Sequence, residues 1–489
     1  MKRTTILLVS LVMAAMSFVP EAALRAEETG EAVNIGSNRE LLVDQYLIGS
    51  LDGTTQKLWP PRDEGPVLLL DRPWEGELSI YMTILHVGSK YQLYYRGKGT
   101  SQVDRSCYAE SEDGIHWTRP DLGFVSWEGY TGTNILFEDD PNICHNFAPF
   151  YDVNPNCPPE QRYKALAGRA DTGLFAFVSP DGIHWKKLQE ETVAKHQHYA
   201  CDSQNVSFWS ESEKKYLCYL RAWDGDWTGF RTVIRLESDD FIHWGPEGGL
   251  RMTYGDTDRE HLYINQTAPY FRAPHLYIAT AARLMEGKRV ITPEEAEALS
   301  VMPGEDDSCS DAVMMTTRGG SLYDRTFMES LVRPGLDPGD WVARTNYPVC
   351  GIVQTGPDEM SLYVERFYNQ PRVRIHRYSW KFDRIASINA PYKGGEFRTR
   401  PLIFSGEDLF INANTSAPGT IQIEILDKNG QPIPGYELDK SPVLTGNWIE
   451  KKIRWAEDKS AASLAGQEVI LRFVMKDADL YALRFGAEE

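Results

Sequence analysis

The chain has no CxxC pair and no grouping of cysteine and histidine at metal-ligand spacing. Its seven cysteines, at 107, 144, 157, 201, 218, 309 and 350, are scattered. That excludes a zinc ribbon or finger and a disulfide framework. Cys144 with Cys157 is the one pair whose spacing suggests a closed loop, the odd count leaves at least one thiol free, and most read as small buried hydrophobes. An excess of positive charge is also missing. The net charge of −19 argues against nucleic acid and anionic membranes as partners, while leaving the sign of any pocket open. Nor is there a spanning apolar run near the start: the stretch 6–19 stops at Pro20-Glu21, too short for a membrane helix. Lys2 and Arg3 ahead of it and Leu24-Arg25-Ala26 behind it are the parts of a secretory signal peptide. Residues 1–26 are therefore expected to be a leader, with the mature protein exported (periplasmic or secreted) and without an integral membrane segment.

What is abundant is aromatic surface, 24 Tyr and 13 Trp, enough for large buried or sugar-facing areas. At 489 residues two domains are expected, one of them large. The organising stretch is Ser111-Glu-Asp-Gly-Ile-His-Trp117, which returns as Ser179-Pro-Asp-Gly-Ile-His-Trp185 and as Ser238-Asp-Asp-Phe-Ile-His-Trp244. Successive copies lie 68 and 59 residues apart. A tight turn feeding a strand, repeated at that interval in a β-rich chain, predicts the blades of a propeller.

Counting from the motif divides the chain into five units of roughly 60–80 residues, the size of a four-stranded blade. Unit one runs from Glu77 through a strand over 79–87, Tyr91-Gln-Leu-Tyr-Tyr-Arg96 and a third strand over 106–110. Unit three repeats it from Asp202 through Tyr216-Leu-Cys-Tyr-Leu-Arg221, at a constant offset of 125 residues. Unit two starts at His145 and unit four at Asn265. Unit four carries a helix-prone insertion over 293–300 and the turn Arg318-Gly-Gly320, with Tyr323 in the tryptophan's place. Unit five opens near Asn346 and closes over 372–380. Residues 27–75 read as a lead-in with one strand-like piece over 40–48, broken up by Pro60-Pro61 and Pro66. The propeller is thus expected over 27–393. Short alternating strands over 394–489, joined by Asp-Lys-Asn-Gly and Pro-Ile-Pro-Gly turns, predict a β-sandwich that serves as structural partner.

The repeated turns, five units and terminal sandwich resemble the five-bladed β-propeller glycoside hydrolases, especially the family 32 and 43 type. The resemblance covers most of the mature chain and implies the fold far more specifically than the substrate. It implies a base or nucleophile in blade one and an acid in blade three. The family's usual order over the first three blades is Asp, Asp, Glu, whereas this chain has Glu77, His145 and Asp202. The family 32 motifs Asn-Asp-Pro, Arg-Asp-Pro and Glu-Cys have no clear match, so fructan cleavage is not implied. A sialidase-like enzyme would need a sixth blade and a tyrosine nucleophile, and the sequence reading finds neither.

In a propeller the start of the innermost strand and the end of the second strand lie on one face. The first ring is then Glu77, His145, Asp202, Asn265 and Asn346, with Asn146, Gln204 and Asn205 alongside. Polar groups at inner-strand starts suit a substrate site; the alternatives are turn capping, mutual hydrogen bonding or a structural cation in the bore. The second ring is arginine: Arg96, Arg169, Arg221, Arg283 and Arg366. Pocket-facing arginines imply an anionic sugar, uronic or sulfated; the alternative is pairing with carboxylates between blades. Only Arg96 and Arg221 share an identical spacing. Glycoside hydrolysis needs two carboxyl groups, one to protonate the leaving oxygen and one to attack or activate water. Glu77 and Asp202 are the expected pair, with His145 as a ligand, a general acid or a wall residue. Asp311 is a reserve acid, Trp74 and Tyr81 are sugar-stacking or core residues, and Asp152 and Asp171 shape turns. His116, His184 and His243, with Trp117, Trp185 and Trp244, belong to the turn motif and are structural. The expectation is an exported glycoside hydrolase needing no cofactor; the alternative is a non-catalytic carbohydrate-binding propeller.

Overall fold

A computed structural model describes residues 31–99, 103–137, 141–169, 172–195, 201–225 and 229–488. The leader and Asp171 lie outside these residues. The fold is all-β: a five-bladed propeller and a ten-stranded sheet folded over its own core.

Blade one is Ile80–Val87, Lys90–Gly97, Arg105–Ser111 and Ile135–Phe137. Blade two is Ala148–Tyr151, Tyr163–Arg169, Gly173–Ser179 and Lys186–Lys187. Blade three is Val206–Ser210, Lys215–Trp223, Arg231–Ser238 and Gly245–Arg251. In blade four the inner position is shared by His261–Ile264 and Thr267–Tyr270, both paired with Ala273–Met285, which pairs in turn with Cys309–Thr317. Blade five has Tyr347–Pro348 and Val353–Gln354 inside, then Glu359–Arg366 and Arg374–Lys381. Its outermost strand is Arg62–Leu69, from the beginning of the chain, antiparallel to Arg374–Lys381. The expected helix forms in unit four as Pro293–Ala298, with Thr292 and Glu295 making a reciprocal cap.

The lead-in differs from the sequence expectation. Val33–Gly36, Glu40–Leu41, Ile48–Asp52 and Thr55–Leu58 all join the C-terminal sheet, as does Ala386–Ala390. That sheet is built on Asp408–Asp427 paired with Val469–Gly486, and a register break between Thr415 and Thr420 lets both halves face one core. Leu41, Val43, Leu58 and Ala482 share a second core with Ile278, Leu362 and Trp380 of the propeller. Ion pairs reinforce this seam. Fully buried Asp383 meets Arg272 at 3.0 Å and Arg39 at 3.5 Å, and Tyr270 donates to it at 2.7 Å.

The motif copies are turns of one design. Ser179 Oγ accepts from the backbone N–H of Gly182 at 2.9 Å, and Asp181 Oδ1 accepts from those of Ile183 and His184 at 2.9 and 2.8 Å. His184 Nδ1 lies 2.7 Å from Asp181 Oδ2. The turns of blades one, two and four are then tied to a neighbouring blade. Tyr94 donates to the Gly182 carbonyl at 2.9 Å, Tyr363 donates to that of Gly114, and Arg235 to that of Gly320 at 3.0 Å. Trp117 packs edge-on against Tyr363, and Trp185 against Phe147. The histidines and tryptophans of the motif are therefore structural. All seven cysteines are buried free thiols, which corrects the Cys144–Cys157 pairing: Cys144 Sγ reaches the Phe137 carbonyl and Cys157 Sγ contacts Lys164 Nζ.

These fastenings can be tested in two places. Partial burial pushes the Asp181 carboxyl upward, but its backbone N–H bonds and His184 outweigh that and lower it from 3.8 to about 2. A folded-state value below the unfolded one stabilises above pH ~4 and is lost as pH falls toward ~2. Asp181→Ala should lower stability at neutral pH by about 1 kcal/mol. The gap from wild type should close between about pH 4 and pH 2 in thermal melts; a gap independent of pH refutes the linkage. At the seam, Asp383→Ala removes the buried carboxylate shared by Arg39, Arg272 and Tyr270, leaving Glu450 beside both arginines, and should cost about 3–5 kcal/mol in urea denaturation; a loss below about 1 kcal/mol would show the ion pairs to be dispensable.

Candidate functional site

The five inner-strand entrances converge on one rim, and the backbone there is strained. Tyr81 (φ 57°), Cys201 (φ 73°), Gln266 (φ 47°), Arg344 (φ 60°) and Asn346 (φ 64°) all adopt the left-handed region without being glycine. Each such residue costs energy that the surrounding structure must supply, and such residues concentrate at functional sites. At Tyr81 the register with strand two slips between Ile80 and Thr83. Its ring meets His145 edge-on at 5.7 Å and lies 4.8 Å from the Arg96 guanidinium carbon. Its hydroxyl reaches the Asp202 carbonyl at 3.5 Å.

His145, at the mouth of blade two, has both ring nitrogens engaged. Nδ1 lies 2.9 Å from Asp104 Oδ2 and 3.3 Å from Arg96 Nη1; Nε2 lies 3.2 Å from the Asp202 carbonyl oxygen. Burial, helped by the charges of Arg96 and Arg169, holds the imidazole below its ordinary pKa, with Asp104 pulling the other way. Asp104 is buried, yet His145, Arg96 and Lys98 more than offset that and hold its carboxyl well below the usual range. Lys98 Nζ is 3.3 Å from it. His145 thus bridges Asp104 and the blade-three loop, one ring nitrogen toward each. Asp104 was not foreseen in the sequence because it precedes strand three, off the two counted rings.

Asp202 is paired with the Arg221 guanidinium and keeps 28% of its side chain exposed. An arginine partner favours the charged carboxylate. Glu77, half-buried at the mouth of blade one, makes no ion pair or side-chain hydrogen bond among the described residues; its carbonyl accepts from Asn369 N–H at 2.8 Å. The two expected carboxyls therefore share the rim but have opposite electrostatic surroundings.

Blades four and five add Tyr263, Arg344 and, from the third strand of blade three, Arg231. The guanidinium carbons of Arg221, Arg231 and Arg344 lie 4.8, 5.2 and 6.0 Å from the Tyr263 ring. Burial alone would raise this phenol, but the three guanidiniums and a hydrogen bond from Tyr81 bring it below its ordinary value. Tyr81 and Tyr347 nearby shift upward, each chiefly through burial. A signal for Tyr263 and Arg344 did exist: each stands two residues ahead of a ring asparagine, Asn265 and Asn346.

The remaining ring members need correction. Asn146, Gln204, Asn205, Asn265 and Asn346 are fully buried and bond to backbone, to the hydroxyls of Thr83 and Thr267, or to Gln266. Asn146 donates to the Cys201 and Ser203 carbonyls, Asn205 to that of Cys201, Asn265 to that of Tyr219, and Asn346 to those of Ser310 and Asp340. Gln204 donates to Met82 O and Thr83 Oγ1 and accepts from Gln266, which also reaches Pro348 O, so the bore is laced by side-chain amides. These buried amides brace the backbone around the bore. Arg283 and Asp311 hold each other in a two-pronged pair, with Glu260 on the same guanidinium. Arg366 is taken by Asp340. Of the arginine ring, Arg96, Arg221 and exposed Arg169 are the members at the site. Trp74 is core, donating to Asn134 Oδ1 at 2.8 Å, and buried Asp152 binds Lys164 and Tyr216. Among the described residues no three His, Cys, Asp or Glu side chains are placed to hold a metal ion.

A cavity of about 450 Å³ opens at the opposite mouth of the bore, lined by Phe150, Phe208, Trp209, Phe271 and Ile352. It is apolar and lies away from the ionisable rim.

No family model matches the chain, and no curated protein matches it. Solved structures align with about two thirds of it. BT0996 in complex with RGII has a TM-score of 0.44 and 10% identity, covering 66% of this chain and 92% of its own. An N-acetylgalactosamine deacetylase from F. plautii, in complex with blood group B trisaccharide, has a TM-score of 0.44 and 12% identity, covering 68% and 96%. A glycosyl hydrolase from Bacteroides ovatus has a TM-score of 0.36 and 14% identity, covering 72% and 98%. At these distances the activities of those proteins do not transfer to this chain.

Proposed function

We propose that the protein is an exported glycoside hydrolase that cleaves a glycosidic bond in a poly- or oligosaccharide bearing anionic sugars. The observation that carries this reading is the contrast between Asp202 and Glu77 on one rim. Glycoside hydrolysis needs two carboxyl groups in different roles, and an arginine beside one of them favours its charged form. Asp202, held ionised by Arg221, is the group that attacks or activates water. Glu77, with no cation at its carboxyl among the described residues, is the proton donor to the leaving oxygen. This exchanges the roles implied by the family 32 and 43 resemblance and follows from the position of the arginine. Arg96, Arg221 and exposed Arg169 supply the positive charge that an anionic substituent requires. His145, locked between Asp104 and the Asp202 backbone, keeps the blade-three loop in place.

A screen of neutral, uronic and sulfated glycans, read by released products, tests the activity. Glu77→Gln and Asp202→Asn should each lower kcat by roughly 100-fold or more on the responsive substrate. Glu77→Gln removes no ion pair and should leave the melting temperature unchanged. An unchanged rate in either variant would sink that residue's role. Binding without turnover in wild type would favour the carbohydrate-binding alternative, to which the histidine in blade two lends support.

A further inference from the structure

One connection joins the ring-closing strand, which ends at Leu69, to the inner strand of blade one, which starts at Ile80. Glu77 lies in it. Six residues earlier Asp71 borders a separate cavity of about 250 Å³, lined also by Arg72, Trp74, Arg119 and Tyr130. Six extended residues span at most about 20 Å, so one oligosaccharide can reach both places. The cavity falls below the ~300–1,000 Å³ of pockets for drug-sized ligands and far exceeds the ~30 Å³ share of one water. It has room for a single sugar ring.

Its walls suit one. Tyr130 is 51% exposed. Trp127 and Tyr130 exchange backbone hydrogen bonds at 2.9 and 2.7 Å around the turn Glu128-Gly129, where Glu128 takes φ 43° and Gly129 φ 90°. Core Trp74 backs the tyrosine, ring centroids 5.7 Å apart and planes at 66°. An aromatic ring is thus held at the surface on a fixed turn, with an apolar body and a polar tip. Opposite charges line the same space. The Arg119 guanidinium reaches the Leu69 carbonyl, Glu75 Oε1 at 2.9 Å and Asp71 Oδ1 at 3.3 Å. Buried Glu75 also accepts from the Tyr95 hydroxyl at 2.6 Å and the Arg72 backbone N–H at 3.0 Å, which fixes this floor. Asp71 keeps 64% of its side chain exposed, with acceptor capacity left for sugar hydroxyls. Two carboxyls, Asp71 and Glu75, stand against two guanidiniums, Arg72 and Arg119, so the cavity lacks the arginine excess of the rim. Resting on the carbohydrate reading of that rim, we propose that this cavity is a second glycan-binding site, which takes an uncharged sugar unit of the same chain by stacking on Tyr130 and hydrogen bonding to Asp71 and Arg119.

Calorimetry on the full-length mature protein, in a Glu77→Gln background that stops turnover, tests this with neutral gluco-, manno-, galacto-, xylo- and arabino-oligosaccharides. At least one should bind, and Tyr130→Ala and Asp71→Ala should each weaken it about tenfold. Phe124→Ala, which removes another exposed aromatic of the same blade outside the cavity, should bind as the parent does. All three side chains are largely exposed, so melting temperatures should stay alike and loss of fold cannot mimic loss of the site. No binding of any neutral sugar overturns the proposal, as does equal binding by Tyr130→Ala or an equal loss in Phe124→Ala. Failure of this site and failure of the hydrolase reading separate cleanly. A glycan cleaved with the same KM by wild type and Tyr130→Ala removes the site and keeps the hydrolase; Tyr130-dependent binding in a wild type that cleaves nothing keeps the site and removes the hydrolase.

Discussion

Ring closure is the constraint on which the rest depends. A propeller left open exposes two long sheet edges and lets its blades splay. Here the circle is completed by Arg62–Leu69, which adds the outermost strand to blade five although it precedes blade one in the chain. The strands immediately before it, Val33 to Leu58, are held in the C-terminal sheet, and that sheet is packed on blades four and five through a shared core. The closing strand is thus tethered on its N-terminal side, and the C-terminal sheet acts as a buckle on the ring. Buried Asp383, reached by Arg39 from the sheet side and Arg272 from blade four, lies at this buckle.

A closed ring of five blades crowds its inner strands, and the rim absorbs the crowding. At the inner-strand entrances of blades one, three, four and five, residues with side chains occupy the left-handed region at Tyr81, Cys201, Gln266, Arg344 and Asn346. Beside them the buried amides of Asn146 and Asn205 donate to the carbonyl of left-handed Cys201, and those of Asn265 and Asn346 to strand carbonyls of Tyr219 and Ser310. The strain and the amide lacing are two sides of one solution. Together they hold the ionisable groups in fixed relation, with all seven cysteines left as free thiols.

This explains which parts of the molecule were legible in sequence. The turn motif was readable because Ser, Asp and Gly act locally: the side chains bond to backbone within three residues. Counting from it assigned Glu77, His145, Asp202, Arg96 and Arg221 to one face, whereas Tyr81 was open between sugar-stacking and core. The closing strand was not legible, since Pro66 argued against a strand. At an outer edge the missing N–H costs nothing, and the pairing accommodates the proline with a register shift beside it. The asparagines were misread for a related reason. A polar residue at an inner-strand start looks alike in sequence whether it faces a ligand or a neighbouring carbonyl, and only the closed ring decides. Tyr263 and Arg231 were missed because their importance lies in what surrounds them, and residues 32 apart in sequence meet only across two blades.

The charge arrangement then acquires a physical logic. The chain carries a net charge of −19, yet its rim gathers Arg96, Arg169, Arg221, Arg231 and Arg344. Long-range repulsion between an acidic surface and an acidic glycan is screened beyond about 10 Å in physiological salt, so it does little once the substrate is near. Within the mouth the short-range field is set by guanidiniums that are already oriented by Asp202, Glu286, Glu305 and Asp104. Arginines so held do not need to reorganise for a ligand, and their partners prevent the pocket from acting as a bare cation trap. The guanidiniums of Arg221, Arg231 and Arg344 thus meet the Tyr263 ring while each is held by a carboxylate of its own, so the field at the rim is fixed by the fold and is not assembled around a ligand.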